Sequence, residues 1–460
     1  MPKMDLRLLE PTDENITSAL CENKLWRLKR VVDTIRILFR PDEKLILAID
    51  GDWGSGKTFF LKGIQKILLP GNDKEKLDAA INMYVDGYHP KNRYSYKNRN
   101  GEDSVGYPTE LMYPFYFNAW EHDDADDPLT ALVHSMLMEF SYSPSIKPAV
   151  LAALSQAGKE VIDSFQLGSS INRVIERFKE SENNQVGAIA SEYSSIMDRR
   201  VAIRNFMESV LSSSGRQQLV IIIDELDRCR PDYAVKLLER IKHFFDGQRV
   251  SFIIGVNISQ LEKNIKHHYG YGFNARVYLK RFFDMQLKLP VIYSDKFQRH
   301  YDYEFGNMQN EVIDDLSDYF KLSLRSRIQL IHRMSLINVS DISWPWNYQA
   351  NCFLQNVILP TILVLDYVDS ETKDRFINGC GFEILNYLST GPLKSRISTQ
   401  MGFTSEKPTE AEQHDKLEQI YKMVFSKDDQ SAASEIVINE CRYCKVGIPN
   451  WLSDIEFLIS

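Results

Sequence analysis

The sequence predicts an α/β fold built on a parallel sheet of five strands, and three observations carry that prediction. Gly51-Asp52-Trp53-Gly54-Ser55-Gly56-Lys57-Thr58 fits the phosphate-loop pattern G-x-x-x-x-G-K-[ST], with an apolar run before it and helical spacing after it. Leu219 to Ile223 is a continuous apolar run ending in Asp224 and Glu225, as in a parallel strand covered on both faces. Short apolar runs alternate with helical periodicity from residue 45 to residue 289, the pattern of a doubly wound sheet.

In chain order, Leu28, Val31, Val32, Ile35, Leu38 and Phe39 give residues 23–39 the spacing of an amphipathic helix, ended by Pro41. Residues 1–40 are therefore an N-terminal segment with a packing helix, and 41–293 are the nucleotide-binding core. Leu45 to Ile49 is its first strand. Gly51, Gly54 and Gly56 let the following loop turn its N–H groups toward phosphate oxygens at a helix N-terminus. Lys57 reaches the β and γ phosphates of ATP, Thr58 offers a hydroxyl to Mg2+, and Asp52, Trp53, Ser55 and Phe59 complete the nucleotide-contacting stretch. Residues 72–110 form a polar insert. Within it Lys91, Arg93, Lys97 and Arg99 interleave with tyrosines, which reads either as a solvated hairpin or as a strip for nucleic acid.

Tyr113 to Asn118 is the second strand, and Asp127-Pro128 opens a helix. Residues 141–215 read as an inserted helical subdomain, with helical stretches at 150–165 and 171–178. At the end of the third strand Asp224 is placed to hold Mg2+ and Glu225 to orient the attacking water. Val250 to Val256 is a fourth strand, which in ATPases of the glutamate-bearing class inserts beside the phosphate-loop strand. Asn257 at its end is then either a γ-phosphate sensor or the cap of the next helix. Arg276, Lys280 and Arg281 precede a fifth strand at Met285 to Leu289 and read as cations completing a neighbour's site in an oligomer, or as salt-bridge partners of the lid.

From 294 the pattern turns helical, giving a lid over 294–402 and a C-terminal helical region over 403–460. Arg325 and Arg327 begin a lid helix, where they read as nucleotide sensors or as a solvated helix start. Cys441 and Cys444 form a C-x-x-C that lacks two well-spaced further ligands for zinc.

A net charge of -8 and a pI near 5.7 argue against a general nucleic-acid binder, and six scattered cysteines suit a reducing compartment rather than a disulfide framework. No signal-peptide pattern opens the chain, and no uninterrupted apolar run reaches membrane-spanning length. The expected setting is the cytoplasm.

These blocks together resemble the KAP family of P-loop ATPases. The phosphate loop with Trp53 inside it, Phe117-Asn118-Ala119-Trp120 followed by Asp127-Pro128, Asp224-Glu225-Leu226-Asp227-Arg228-Cys229-Arg230-Pro231, and the stretch from Phe252 to Pro290 with Tyr278-Leu279-Lys280-Arg281 carry the likeness. It implies ATP binding and hydrolysis, with Lys57, Thr58, Asp224 and Glu225 in the roles above. It also implies a soluble bacterial member of the type found in phage and plasmid defence operons, working with a separately encoded effector and possible homo- or hetero-oligomers. Many relatives carry transmembrane helices between the two motifs, where this chain is polar, and commonly show aspartate where Glu225 stands.

Overall fold

The computed structural model describes residues 10–23, 27–39, 43–85, 94–97, 103–141, 196–245, 249–289, 308–337, 345, 347–403, 408–425, 435–439, 441–444, 448 and 451–453. The chain divides into two compact units, Glu10–Val291 and Ile292–Ser460.

The first unit is organised by a five-stranded parallel sheet. Its members are β1 (Ile46–Asp50), β4 (Met112–Asn118), β5 (Gln218–Asp224), β6 (Val250–Val256) and β7 (Met285–Lys288), in the order β4-β5-β6-β1-β7. The short strands β2 (Tyr94–Lys97) and β3 (Asp103–Gly106) pair only with each other, as an antiparallel hairpin. β6 lies between β1 and β5, with Ala48 opposite Ile254 and Ile222 opposite Ile253. The inserted position expected for this strand is thus observed. Pro114, which has no backbone donor, sits in the edge strand β4, where a missing donor is tolerated.

Successive strand residues point to opposite faces. Ile46, Ala48, Ile221, Ile223, Phe252 and Ile254 enter one core together with the helices Pro128–Ser141 and Pro231–Phe244. Leu47, Ile49, Val220, Ile222 and Ile253 enter the other, against α1 (Asp13–Cys21), α2 (Leu28–Leu38), α3 (Lys57–Leu68) and α4 (Lys74–Tyr84). Both faces being covered explains why these strands read as unbroken apolar runs. Helix α1, capped by the Thr12 hydroxyl accepting from Asn15 N at 3.3 Å, precedes the single helix expected before Pro41. Lys97 lies on β2, whereas Lys91, Arg93, Arg99 and the helical stretches expected at 150–165 and 171–178 lie outside the described residues.

The second unit is mainly helical and shares one core, from Met308 and Val312 through Phe353 to Leu417, Tyr443 and Trp451. That core corrects two expectations. Residues on both sides of position 403 pack into it together, so no boundary falls there. The last region is also not wholly helical: after the helix Glu410–Phe425 comes an antiparallel hairpin, β8 (Glu435–Ile438) with β9 (Cys441–Cys444), burying Ile436, Ile438, Cys441 and Tyr443. Ala350–Val368 forms one helical stretch that is long and apolar enough by composition to cross a membrane, although most of it is buried in this unit. It runs through a π turn at Leu354–Ile358 just before Pro360, which has no N–H to continue a regular ladder.

Candidate nucleotide site

The phosphate loop leaves β1 and enters α3 through a left-handed Gly56 at φ 81°, with Gly54 at φ 74°. These values favour glycine because a Cβ would crowd the backbone. Lys57 is buried, and its Nζ donates to the carbonyls of Gly51 at 2.6 Å and Asp52 at 3.1 Å. Burial lowers the Lys57 pKa from its ordinary value, while Asp227 and then Asp224 act in the opposite sense. The ammonium therefore lies within electrostatic reach of both acids. Ser55 Oγ is buried with no hydrogen-bond partner among the described residues, an orphaned polar group inside the loop. A Cβ on Gly51 would stand 2.7 Å from that oxygen.

Asp224, at the end of β5, is fully buried. Its Oδ2 accepts from the Tyr116 hydroxyl at 2.8 Å and its Oδ1 from Glu225 N at 2.8 Å. Burial and the Asp224 charge push the Tyr116 phenol up, so it stays a donor. Gly255 on β6 makes room for this carboxylate, since a Cβ there would come 2.8 Å from Asp224 Oδ1 and 2.5 Å from Leu61 Cδ1. Glu225 has φ 60°, an uncommon value for a non-glycine residue, and this turns its side chain out of the strand's alternation. Its Oε1 lies 3.2 Å from Arg228 Nη1, and the Arg228 guanidinium sits over the Trp120 ring at 5.4 Å. Burial raises the Glu225 pKa, Arg228 opposes that rise, and Asn118 lowers it through a hydrogen bond.

The two segments are joined directly. Trp53 Nε1, from the phosphate loop, donates to Asp227 Oδ2 at 2.7 Å. Asn257 makes the helix cap, its Oδ1 accepting from Gln260 N at 3.1 Å, and its Nδ2 also donates to Asp52 Oδ1 at 3.3 Å. The cap role read for Asn257 is thus observed, and the residue also touches the phosphate loop through Asp52. Thr58 lies in the first turn of α3, and Phe59 packs partly against the core on that face. The hard oxygen donors of Thr58 and Asp224 and the left-handed glycine cradle fit a magnesium nucleotide.

Other sequence-predicted residues fall elsewhere. Arg325 is exposed on the helix Leu324–Leu336 of the second unit. Arg327, read with it as a sensor or as a solvated helix start, is buried and ion-paired with Asp318 of its own unit, so it is not a solvated start. Arg276, Lys280 and Arg281 are exposed and form no ion pair among the described residues. Cys441 and Cys444, three apart on β9, point to opposite faces, and among the described residues no cluster of three or more His, Cys, Asp or Glu side chains is placed to hold a metal ion.

Sequence reasoning missed Tyr116 and Arg27. Tyr116 reads as one more aromatic in a strand, and only the pairing of Phe117 with Ile223 and of Asn118 with Asp224 brings it to the acid. Arg27, 5% exposed, donates through Nη1 to Gly56 O at 3.0 Å and through Nη2 to Ser55 O at 2.7 Å.

No curated protein matches the chain. Among solved structures, the structure of the Aeropyrum pernix ORC2 protein (ADPNP-ADP complexes) aligns with 100% of this chain and 95% of its own, at 13% identity and a TM-score of 0.28, a likeness that carries no argument. The KAP family P-loop domain matches residues 29–343, and with the phosphate loop, the acid pair and the inserted strand all inside that span, the chain belongs to this family of nucleotide-binding P-loop proteins.

Proposed function

We propose that the chain binds ATP with Mg2+ and hydrolyses it, using the cycle to switch an assembly of partner proteins. The observation that carries this reading is the 2.7 Å bond from Trp53 to Asp227, which closes the phosphate loop onto the acidic turn so that lysine, hydroxyl and carboxylates serve one centre. Lys57 exchanges its contacts with the loop carbonyls for the β and γ phosphate oxygens. Thr58 and Asp224 hold the metal, with Tyr116 keeping Asp224 in its rotamer. Magnesium, when bound, neutralises charge developing on the phosphate oxygens. Glu225 orients and polarises the attacking water, and Asn257, tied to Asp52, senses whether the loop is filled.

Arg276, Lys280 and Arg281 remain available to a neighbouring subunit's site, where one cation on the transferring group contributes on the order of a thousandfold or more in other NTPases. A cytoplasmic role in anti-phage defence, through an effector encoded nearby, is the biological setting implied by family resemblance. A second reading, a nucleotide-gated scaffold with little turnover, draws support from the Glu225–Arg228 ion pair, which engages the carboxylate needed for hydrolysis.

Two substitutions test the hydrolytic reading. Glu225→Gln keeps shape but loses the charge that polarises water, so turnover falls by roughly 10²- to 10⁴-fold while ATP is retained. Asp224→Asn weakens the metal site itself, so retention falls along with turnover. Single-turnover cleavage and nucleotide retention on both variants make the comparison. Near-normal cleavage by Glu225→Gln refutes its role, and negligible wild-type turnover with intact binding favours the scaffold.

A further inference from the structure

Arg27 lies ahead of the span matched by the family and outside every motif. Its guanidinium nevertheless reaches the back of the phosphate loop, with one nitrogen on the carbonyl of Ser55 and the other on that of Gly56. The contact is built into both partners. Arg27 immediately precedes α2, whose Leu28, Val31, Val32 and Ile35 are buried in the core beside α3, so the side chain has a fixed origin. Gly56 leaves the space it fills, since a Cβ at that position would meet Arg27 Nη1 at 2.8 Å.

A peptide group is planar and trans, so its C=O and the N–H of the next residue point in opposite directions. Holding the Ser55 carbonyl fixes the direction of the Gly56 N–H, and holding the Gly56 carbonyl fixes that of Lys57. Those N–H groups are the donors a phosphate loop turns toward its ligand. The fork of the guanidinium suits two neighbouring acceptors, as a single ammonium does not.

We infer that Arg27 is a positioning residue of the nucleotide site: from outside the loop it orients two peptide planes so that the N–H groups of Gly56 and Lys57 face the phosphates. This rests on the nucleotide-binding reading above. It makes the N-terminal segment part of the site's affinity, so that any displacement of α2 loosens the grip on nucleotide.

The test is MgATP titration calorimetry on the full chain with Arg27→Met, which fills similar space and has no donor. Arg30→Ala, an exposed charge one turn along α2, serves as the control. Affinity in Arg27→Met falls by about tenfold or more, and that in Arg30→Ala stays at the wild-type value. Melting without nucleotide separates the roles, because a purely structural arginine lowers the melting temperature and leaves the affinity of the folded protein unchanged. Wild-type affinity in Arg27→Met, or an equal loss in Arg30→Ala, overturns the inference. Should Arg27→Met not fold, Arg27→Lys decides: it keeps the charge without the fork, several-fold weaker binding is expected, and wild-type affinity counts against the proposal. Failure of the wild-type chain to bind MgATP would overturn the nucleotide reading and this inference with it.

Discussion

The phosphate loop and the acidic turn at residues 224–228 belong to one site but are held in contrasting ways. In the loop the polar groups are mostly backbone, set by glycine conformations at 54 and 56 and by Arg27 from behind. Its buried lysine, Lys57, rests on the loop's own carbonyls. In the turn the polar groups are side chains, each fixed by another side chain: Asp224 by Tyr116, Asp227 by Trp53, Glu225 by Arg228. The difference teaches where substitutions will be felt. A backbone-built cradle tolerates changes at most side chains, whereas a turn built from paired side chains transmits the loss of any partner to the carboxylate left behind.

Three substitutions break or sharpen that contrast. The largest effect is expected from Lys57→Ala, the exception within the loop, because the phosphate charge is then left without its cation. Affinity for MgATP should drop by about a hundredfold, and unchanged affinity in calorimetry would remove the assignment. Next comes Gly255→Ala, on a strand that touches neither loop in sequence. The added methyl meets Asp224 Oδ1 and Leu61, so the turn must shift. A stability loss of about 1–3 kcal/mol with weaker Mg2+-dependent binding is expected in urea unfolding and metal titration. A protein as stable as the wild type would show that the turn is more pliable than its packing implies. The smallest effect belongs to Trp53→Phe, which keeps a ring on the exposed loop but removes the donor to Asp227. Since Trp53 is exposed and water can reach the freed Oδ2 acceptor, losing this bond should destabilise the chain by about 1 kcal/mol. The loop glycines should hold their conformations, so nucleotide affinity should change little beside Lys57→Ala. A larger affinity loss than that of Lys57→Ala would reverse the proposed division of labour.

The sheet was legible because its signals are local and mutually consistent. The apolar runs at 45–49 and 219–223, the largely apolar stretch at 250–256, and the glycines and lysine at 51–57 each dictate a short stretch of backbone without help from afar. Asn257 was legible only as a choice between two roles, since its position at a strand end and helix start says nothing of the Asp52 contact. Tyr116 and Arg27 were not legible. Each acts on a residue 108 or about 28 positions away, reached through strand register in one case and helix packing in the other. The second unit was harder still, because burial there is a property of the whole core. Ala350–Val368 could be seen as apolar but not as enclosed, and Arg327 could not be seen to face Asp318.

The place of β1 in the sheet has a consequence for synthesis on the ribosome. This strand lies near the start of the chain, yet both of its neighbours, β6 and β7, come from residues 250–288. At ~5–20 residues per second, β1 therefore waits for roughly 12 to 48 s after it is made before its second neighbour exists. During that interval Ile46-Leu47-Ala48-Ile49 has two unpaired edges, although the helices that cover its Leu47 and Ile49 face, all within residues 13–84, are made early. The phosphate loop that follows it cannot take its final anchor, the bond from Gly51 N to Val256 O, until β6 has been made. The earliest strand of the sheet is thus among the last to be completed, and a nascent chain halted before β6 should be unable to hold nucleotide at all.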